Sequence, residues 1–333
     1  MSAEYADDVL RDFEAMVRGN LARWGLPPDT SIRLLSISEN ATYLLEDGAN
    51  GRALVLRIHR DGYHAPEEIQ SELAWIMALR AERVIETPQP IPGIDGVLVQ
   101  RLMSPGGRPP RYAVAFEFVE GREPEQGAGL ASSFHMLGAL TARMHGHVQQ
   151  WRRPEGFTRK VWDFESMFGR VRHWGPWEEG MGLTPDGARL LTRTLRVIRE
   201  RLDRFGRGPD RFGLVHADMR LANLLVAPPH LHVIDFDDCG LSWYLYDFAT
   251  AVSFFEDNPV VPELMEAWVE GYRTVAPLGA AEVAELPTLV AARRILLTGW
   301  VAAHAEVPIA QQLGTKFTDN TLKVAEHFLS HAA

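Results

Sequence analysis

The first third of the chain alternates short apolar runs with turn residues, a pattern typical of β-strands. Two of these runs flank Asn50-Gly51, a dipeptide that favours a tight hairpin turn. Strands joined by such a short turn pair in antiparallel fashion. The pattern predicts a five-stranded antiparallel sheet, with strands at 32–37, 41–45, 53–58, 96–101 and 113–119.

Longer segments repeat apolar residues at steps of three and four, the spacing that gives a helix one apolar face. One such segment precedes the sheet and ends at Gly25, and another begins at Pro66. Six more follow the last predicted strand. The predicted helices lie at 4–24, from 66 onward, and at 134–144, 186–204, 243–249, 262–274, 282–304 and 317–331. The fold class predicted is therefore α+β.

A second hairpin is predicted late in the chain. The apolar runs 224–227 and 231–234 are separated by the turn residues 228–230, Pro-Pro-His. In an antiparallel pair, the residue that enters the first strand faces the residue that leaves the second. Asn223 and Asp235 lie six positions either side of the second proline, so we expect them to be close neighbours.

These two side chains carry the ligand types that Mg²⁺ prefers, an amide oxygen and a carboxylate. Asp218 lies five residues before Asn223, within loop reach of the same point. Asp and Asn are common turn residues, so each alone would indicate only a turn. A carboxylate that receives a proton beside an Asn/Asp pair that holds metal is the arrangement of a phosphoryl-transfer site.

The motif His216-x-Asp218-x-x-x-x-Asn223, followed by Ile-Asp-Phe at 234–236, resembles the catalytic and metal loops of the aminoglycoside phosphotransferase and choline kinase superfamily. These proteins are small-molecule relatives of protein kinases. The resemblance implies a bilobal, protein-kinase-like fold with a five-stranded antiparallel sheet in the first lobe. The implied lobes are a nucleotide-binding lobe at 1–119 and a mainly helical catalytic and acceptor-binding lobe at 120–333.

The resemblance also implies roles for the residues of the motif. ATP would be the phosphoryl donor, and Asn223 and Asp235 would hold Mg²⁺ against its phosphates. Asp218 would accept or orient the proton of the acceptor hydroxyl. Arg220 stands where protein kinases have a lysine and would neutralise the migrating phosphoryl group, although many small-molecule members have histidine there.

Two further groups of residues match the nucleotide site of the superfamily. The segment with Ser38, Asn40 and Thr42 takes the place of the nucleotide-covering loop, without the glycine-rich pattern of protein kinases. Arg57 and Glu72 take the place of the lysine–glutamate pair that holds the phosphates. An arginine at this position also occurs in choline kinases. From the residues alone, an ordinary hairpin connection and a surface ion pair remain open.

The strand end at Glu117 and Val119 matches the hinge between lobes, whose backbone groups would bind the adenine edge. A plain strand end would have the same sequence. His145 and Asp247 are interpreted as structural, and Asp247 matches an aspartate that braces the catalytic loop. The segment 151–185 is rich in tryptophan beside carboxylates, which suits either an amine ligand or core packing, and packing is the favoured interpretation.

Composition narrows the function classes. The 333 residues carry a net charge of −10, which argues against broad nucleic-acid binding and is compatible with a cationic substrate. We expect no membrane span and, from the acidic first residues, no secretory signal. The single cysteine, Cys239, fits a reducing cytoplasm.

The sequence therefore predicts an ATP- and Mg²⁺-dependent phosphotransferase whose acceptor is the hydroxyl of a small, amine-bearing molecule. Candidate acceptors are aminoglycosides, choline or ethanolamine, and homoserine-like amino acids. One alternative is a serine/threonine protein kinase of the bacterial stress-response type. Another is a nucleotide-binding pseudokinase, which only Arg57 favours. The preference for ATP over GTP and the oligomeric state stay open.

Overall fold

The structure is a computed structural model that describes residues 2–37, 40–104, 109–124, 127, 129–227 and 230–331. It divides into two compact units. The sheet unit comprises Met1–Arg83, Thr87–Glu120 and Arg153–Thr158. The helical unit comprises Val84–Glu86, Gly121–Arg152 and Arg159–Ala333.

In its described residues, the sheet unit contains two α-helices, a short 3₁₀-helix and one antiparallel sheet in the order β1-β2-β3-β6-β4, with β5 also paired to β6. Its elements are α1 (Ser2–Asn20), β1 (Ser31–Ile37), β2 (Ala41–Asp47), β3 (Arg52–Ile58), α2 (Pro66–Ala81), β4 (Pro90–Ile91), β5 (Gln100–Leu102) and β6 (Arg111–Glu117).

The core of this unit lies between α1 and one face of the sheet. Met16 and Val17 on α1 pack with apolar side chains that alternate along β3, such as Leu54 and Leu56. Alternation arises because successive strand residues point to opposite faces. The helix predicted at 4–24 is α-helical only to Asn20, and its last turn is a 3₁₀-helix.

The predicted antiparallel α+β architecture is confirmed, but two strands of the sheet differ from expectation. A sixth strand, β4, has only two residues, which is too short to show alternation in the sequence. The strand predicted at 96–101 begins only at Gln100. A turn occupies the preceding residues, closed by a hydrogen bond from Gly93 N to Val97 O at 2.9 Å.

The helical unit contains eight α-helices, two short 3₁₀-helices and two small antiparallel sheets, β7-β10 and β8-β9, within its described residues. Its helices are α3 (Leu130–Gln150), α4 (Phe164–Phe168), α5 (Pro185–Phe205), α6 (Tyr246–Ala251), α7 (Val261–Arg273), α8 (Ala280–Val283), α9 (Leu286–Ala303) and α10 (Pro308–His331). Its strands are β7 (Phe212–Val215), β8 (Leu224–Ala227), β9 (His230–Val233) and β10 (Gly240–Trp243).

Four predicted helices of this unit differ in their bounds. The helix predicted at 134–144 is longer at both ends, since α3 extends from Leu130 to Gln150. The segment predicted at 243–249 becomes helical only at Tyr246, because Trp243 still pairs with Phe212 in the sheet. The segment 282–304 is divided between α8 and α9. The helix predicted at 317–331 is the second part of α10, which is interrupted by a non-helical Gly314.

Helix α9 is the central helix of this unit, and its residues from Leu286 to Val301 are almost all buried. By length and composition alone, Ala280–Ala303 could cross a membrane. However, 83% of its most apolar window is buried inside the protein. A helix that is apolar on all sides is also what the core of a large domain requires.

Helices α3 and α7 approach so closely that backbone meets backbone. A Cβ atom added at Gly138 would lie 2.0 Å from Trp268 O, and one at Gly271 would lie 1.8 Å from His135 O. Only glycine fits at these two crossing points. The close contact fixes α3, which carries His145, against α7.

Candidate active site

The loop that follows β7 is held from below by Asp247, at the start of α6. Asp247 Oδ2 accepts a hydrogen bond from His216 N at 3.2 Å, and Oδ1 accepts one from Ala217 N at 2.8 Å. Ala217 has a φ of 65°, a left-handed conformation that costs a non-glycine residue energy. His145 Nε2 lies 3.1 Å from Asp247 Oδ2 and so ties this brace to α3.

Asp218 lies in this loop, with its side chain nearly buried. Its Oδ2 accepts hydrogen bonds from Arg220 Nε at 3.0 Å and from Asn223 Nδ2 at 2.7 Å. Asn223 Nδ2 also donates to Asp218 O at 2.8 Å. Three of the predicted site residues are therefore joined directly, and the Asn223 amide is oriented by Asp218.

The fourth contact of Asp218 comes from a residue that the sequence did not indicate. Arg293, in the middle of α9, donates from Nη2 to Asp218 Oδ1 at 2.8 Å. Arg293 is 1% exposed. In the sequence, this arginine only interrupts the apolar pattern of a predicted helix. No sequence pattern connects it to a loop 75 residues earlier.

These contacts decide the charge of Asp218. Burial acts to raise its pKa, but Arg220 and Arg293 outweigh burial, so the pKa of Asp218 lies below its usual range. The carboxylate in turn raises the pKa of Arg220, and Asp235 adds to this effect. Asp218 is therefore an ionised carboxylate throughout the physiological pH range.

The hairpin β8-β9 forms as predicted, but its register differs by one residue. Ala227 pairs with His230, so Asn223 faces Ile234, whose N–H donates to Asn223 O at 2.9 Å. The expectation that Asn223 and Asp235 face each other about Pro229 is wrong by that one position, because His230 belongs to the strand. Pro228 and Pro229 themselves lie outside the described residues.

Asp235 directly follows the residue that faces Asn223, and its backbone has a φ of 60°. Its side chain is exposed. Asn223 Nδ2 is used by Asp218, while Asn223 Oδ1 accepts no hydrogen bond from the described part of the chain. An amide oxygen and a carboxylate at the ends of two paired strands fit a divalent cation whose other ligands are phosphate oxygens and water.

The segment after Asp235 is held through its carbonyl groups. Arg159 Nε donates to Cys239 O at 2.6 Å, and Arg159 Nη2 donates to Asp237 O. Trp162 Nε1 donates to Asp238 O at 2.8 Å. Trp162 is fully buried, and the indole ring of Trp174 lies 5.1 Å from it. These two tryptophans pack inside the unit.

Within the sheet unit, Arg57 and Glu72 form a buried ion pair. Arg57 Nη2 lies 2.7 Å from both carboxylate oxygens of Glu72. The residues are 4% and 0% exposed, so the pair belongs to the interior and is not a surface pair. Thr42 on β2 is the cross-strand partner of Arg57 and lies on the same face of the sheet.

The other predicted nucleotide contacts are less closely grouped. Asn40 Oδ1 accepts a hydrogen bond from Arg60 N at 3.0 Å, so this side chain fixes the chain after β3. Glu117 N donates to Gln89 O at 2.9 Å, so this backbone amide already has a partner within the protein. Val119 follows the end of β6 and is half-buried. Ser38 lies outside the described residues. The roles of all four residues stay predictions.

The comparison with known proteins decides the family. The model of the phosphotransferase enzyme family (APH) matches residues 31–285, which is more than half of the chain. The chain belongs to this phosphotransferase family. It is a kinase whose acceptor is an alcohol group, as the motif of the loop predicts. The match ends before α9, so Arg293 lies beyond it.

Individual family members and structures are similar over nearly the whole chain. The structure of a microcompartment-associated aminopropanol kinase is 42% identical, with a TM-score of 0.88, and covers 95% of this chain and 98% of its own. A homoserine kinase of Rhizobium rhizogenes (strain K84) is 29% identical, over 82% of each chain. The amicoumacin kinase hAmiN, with AMP-PNP, Ca²⁺ and Ami, has a TM-score of 0.76 at 21% identity and 96% coverage of both chains, which shows the shared fold.

Proposed function

We propose that this phosphotransferase transfers the γ-phosphoryl group of ATP, with Mg²⁺, to the hydroxyl of a short amino alcohol of the aminopropanol type. The observation that carries the proposal is the 42% identity to the aminopropanol kinase, which extends over 95% of this chain. Aminopropanol is small and carries a cation, as expected of the acceptor of an enzyme with a net charge of −10.

The proposed roles follow from the geometry around Asp218. Its Oδ2 accepts two hydrogen bonds, whereas Oδ1 accepts one, from Arg293. A carboxylate oxygen can accept two hydrogen bonds. Since Oδ1 accepts one from the described residues, it keeps a lone pair for the acceptor hydroxyl. Asp218 then orients the hydroxyl toward the γ-phosphorus atom and receives its proton as the new P–O bond forms.

Arg220 and Asn223 complete the proposed site. The Arg220 guanidinium, half-exposed beside Asp218, neutralises charge on the migrating phosphoryl group. Asn223 Oδ1 and the Asp235 carboxylate would hold Mg²⁺, which supplies charge neutralisation on the phosphates when bound. The hAmiN structure with AMP-PNP and Ca²⁺ supports a nucleotide and a divalent cation in this fold. The buried pair of Arg57 and Glu72 would hold the nucleotide phosphates.

Cytoplasmic location is part of the proposal. The single cysteine, Cys239, is buried and has no second cysteine in the chain for a disulfide, which suits a reducing compartment. Both proposed co-substrates, ATP and a small amino alcohol, are soluble metabolites. Fractionation of cells that produce the tagged protein tests this point, and recovery in a membrane or secreted fraction would contradict it.

An acceptor panel coupled to ADP release tests the activity. We expect the highest kcat/KM with 1-aminopropan-2-ol, lower values with ethanolamine, choline and homoserine, and little turnover with an aminoglycoside. Propane-1,2-diol is the matched control, because it keeps the carbon chain and replaces the amine by a hydroxyl. ³¹P NMR of the product identifies the phosphate ester. Equal turnover of the diol and the amino alcohol would refute recognition of the amine.

A further inference from the structure

Arg293 is a buried charged residue of the helical unit that lies beyond the residues of the family match. Besides Asp218 Oδ1, its guanidinium donates from Nη1 to Tyr246 Oη at 3.1 Å and from Nε to Ser253 Oγ at 3.0 Å. The guanidinium carbon lies 4.5 Å from the centre of the Trp174 ring. Three donors and one flat face of the guanidinium are therefore fixed by the protein.

The adjacent residue, Arg294, shows that a buried arginine in α9 need not concern Asp218. Arg294 Nη1 lies 2.6 Å from Glu256 Oε2 and 3.2 Å from Asp257 Oδ1, and Nε donates to Thr321 Oγ1 at 2.9 Å. It therefore links α9 to α10 and to the chain after α6. The two arginines are equally buried but contact different carboxylates, so Arg294 is a matched control for Arg293.

A buried guanidinium is costly unless its charge is paired and its donors are satisfied. Apolar side chains of similar volume would fill the same space in α9 without that cost. Asp218 is the only carboxylate that Arg293 contacts within the described residues. The stability of the core therefore gives little reason for a cation at position 293. The contact with Asp218 gives a direct reason.

We propose that Arg293 is a positioning residue for the acceptor reaction: it holds the Asp218 carboxylate in one orientation, with the free lone pair of Oδ1 turned to the acceptor hydroxyl. This inference rests on the proposed role of Asp218. Arg293 fixes Oδ1, while Asn223 and Arg220 fix Oδ2, so the carboxylate plane cannot rotate. Arg293 is held in place by Tyr246 and Ser253 and need not touch the acceptor.

The test compares Arg293→Met with Arg294→Met in steady-state kinetics with ATP and the best acceptor of the panel. For Arg293→Met we expect kcat to fall about tenfold or more, since a misplaced reacting group costs rate, while KM for ATP stays within about twofold. For Arg294→Met we expect a lower melting temperature and a kcat close to that of the wild type.

Two milder variants keep the test decisive if Arg293→Met does not fold. Arg293→Lys keeps the charge and should recover part of kcat. Tyr246→Phe removes one anchor of the guanidinium and should lower kcat less than Arg293→Met does. A wild-type kcat in the Arg293 variants would overturn the inference, as would the same kinetic change in Arg294→Met.

The outcomes separate this inference from the proposed function. If the enzyme uses an acceptor other than an amino alcohol, the proposed acceptor is wrong, and the Arg293 variants are assayed with the acceptor that is used. If the wild type phosphorylates an amino alcohol and the Arg293 variants behave as the wild type, only the inference fails. Absence of turnover with every acceptor would overturn both.

Discussion

Arg57 Nη2 donates to both carboxylate oxygens of Glu72 at 2.7 Å, and the pair is closed off from solvent inside the sheet unit. Protein kinases place a lysine at the equivalent of Arg57, which holds nucleotide phosphates. A guanidinium offers more donors than an ammonium, so one nitrogen can remain on Glu72 while others are used elsewhere.

Replacement of Arg57 by methionine should weaken ATP binding about tenfold or more, because a charged contact to phosphate is worth roughly 1.5–3 kcal/mol. Arg57→Lys should recover part of the affinity. Isothermal titration with a non-hydrolysable ATP analogue and Mg²⁺ measures the effect, and Arg33→Met, at an exposed position of β1, is the control. Unchanged affinity in Arg57→Met would refute a nucleotide role for the pair.

Replacement of Asp218 by asparagine should lower kcat by about 10²–10⁴, the usual contribution of a positioned acid–base group. ATP affinity should change little, because the described contacts of Asp218 are to Arg220, Asn223 and Arg293. Single-turnover kinetics and ATP titration separate the two effects. Asp203→Asn, on the exposed face of α5, is the control. An Asp218→Asn enzyme with undiminished turnover would rule out the proposed base.

Replacement of Asn223 by alanine should raise the Mg²⁺ concentration needed for half-maximal rate by about 10–100-fold, the range seen when residues that support a metal site are lost. The change also removes two hydrogen bonds to Asp218, so kcat should fall at saturating Mg²⁺ as well. A Mg²⁺ titration at fixed ATP measures both. Asn258→Ala, at an exposed position, should behave as the wild type. A wild-type Mg²⁺ dependence in Asn223→Ala would exclude it as a ligand.

The depressed pKa of Asp218 makes the stability of the protein depend on pH in one direction. A carboxyl group whose pKa is lower in the folded state stabilises that state above its unfolded pKa of about 3.9, and the contribution is lost as pH falls through the folded value. In urea unfolding between pH 7 and pH 3.5, the wild type should therefore have a higher free energy of unfolding than Asp218→Asn, and this difference should shrink below about pH 4. A constant difference across that range would contradict the direction of the shift.

The crossing of α3 and α7 gives a prediction on stability alone. Gly138→Ala places a methyl group 2.0 Å from Trp268 O, a backbone atom that cannot give way cheaply. We expect a loss of about 1–3 kcal/mol or more in unfolding free energy. Gly146→Ala on the same helix meets nothing within 4 Å and should instead stabilise by about 0.5–1 kcal/mol. Denaturant unfolding of both variants measures these changes in unfolding free energy. Equal changes in Gly138→Ala and Gly146→Ala would refute the close crossing of α3 and α7.

The sequence predicted those features that depend on local pattern. The strands of the sheet, the β8-β9 hairpin and the group of Asp218 with Asn223 follow from alternation, turn residues and short loop length. Two features were not predicted correctly, also for local reasons. The two-residue strand β4 is too short for a pattern, and His230 joined its strand, which moved the register by one residue.

The part of the site that depends on tertiary packing was not predictable. Arg293 contacts Asp218 only because α9 passes next to the loop that follows β7, a relationship set by how the helices of this unit pack. Likewise, the sequence could suggest a pairing of Arg57 with Glu72, but it could not decide between burial and exposure. That decision follows from the packing of α2 against the sheet, which leaves Glu72 with no exposed surface.

The two arginines on the Asp218 carboxylate also bear on the timing of proton transfer. A carboxylate with a lowered pKa is a weak base and cannot deprotonate an alcohol before the reaction begins. In the loose transition state common to phosphoryl transfer, the attacking oxygen has formed little bond and is still a poor acid. The hydroxyl proton would then move late, after the phosphoryl group has largely left ADP. Until that moment, the proposed role of Asp218 would be to orient the hydroxyl.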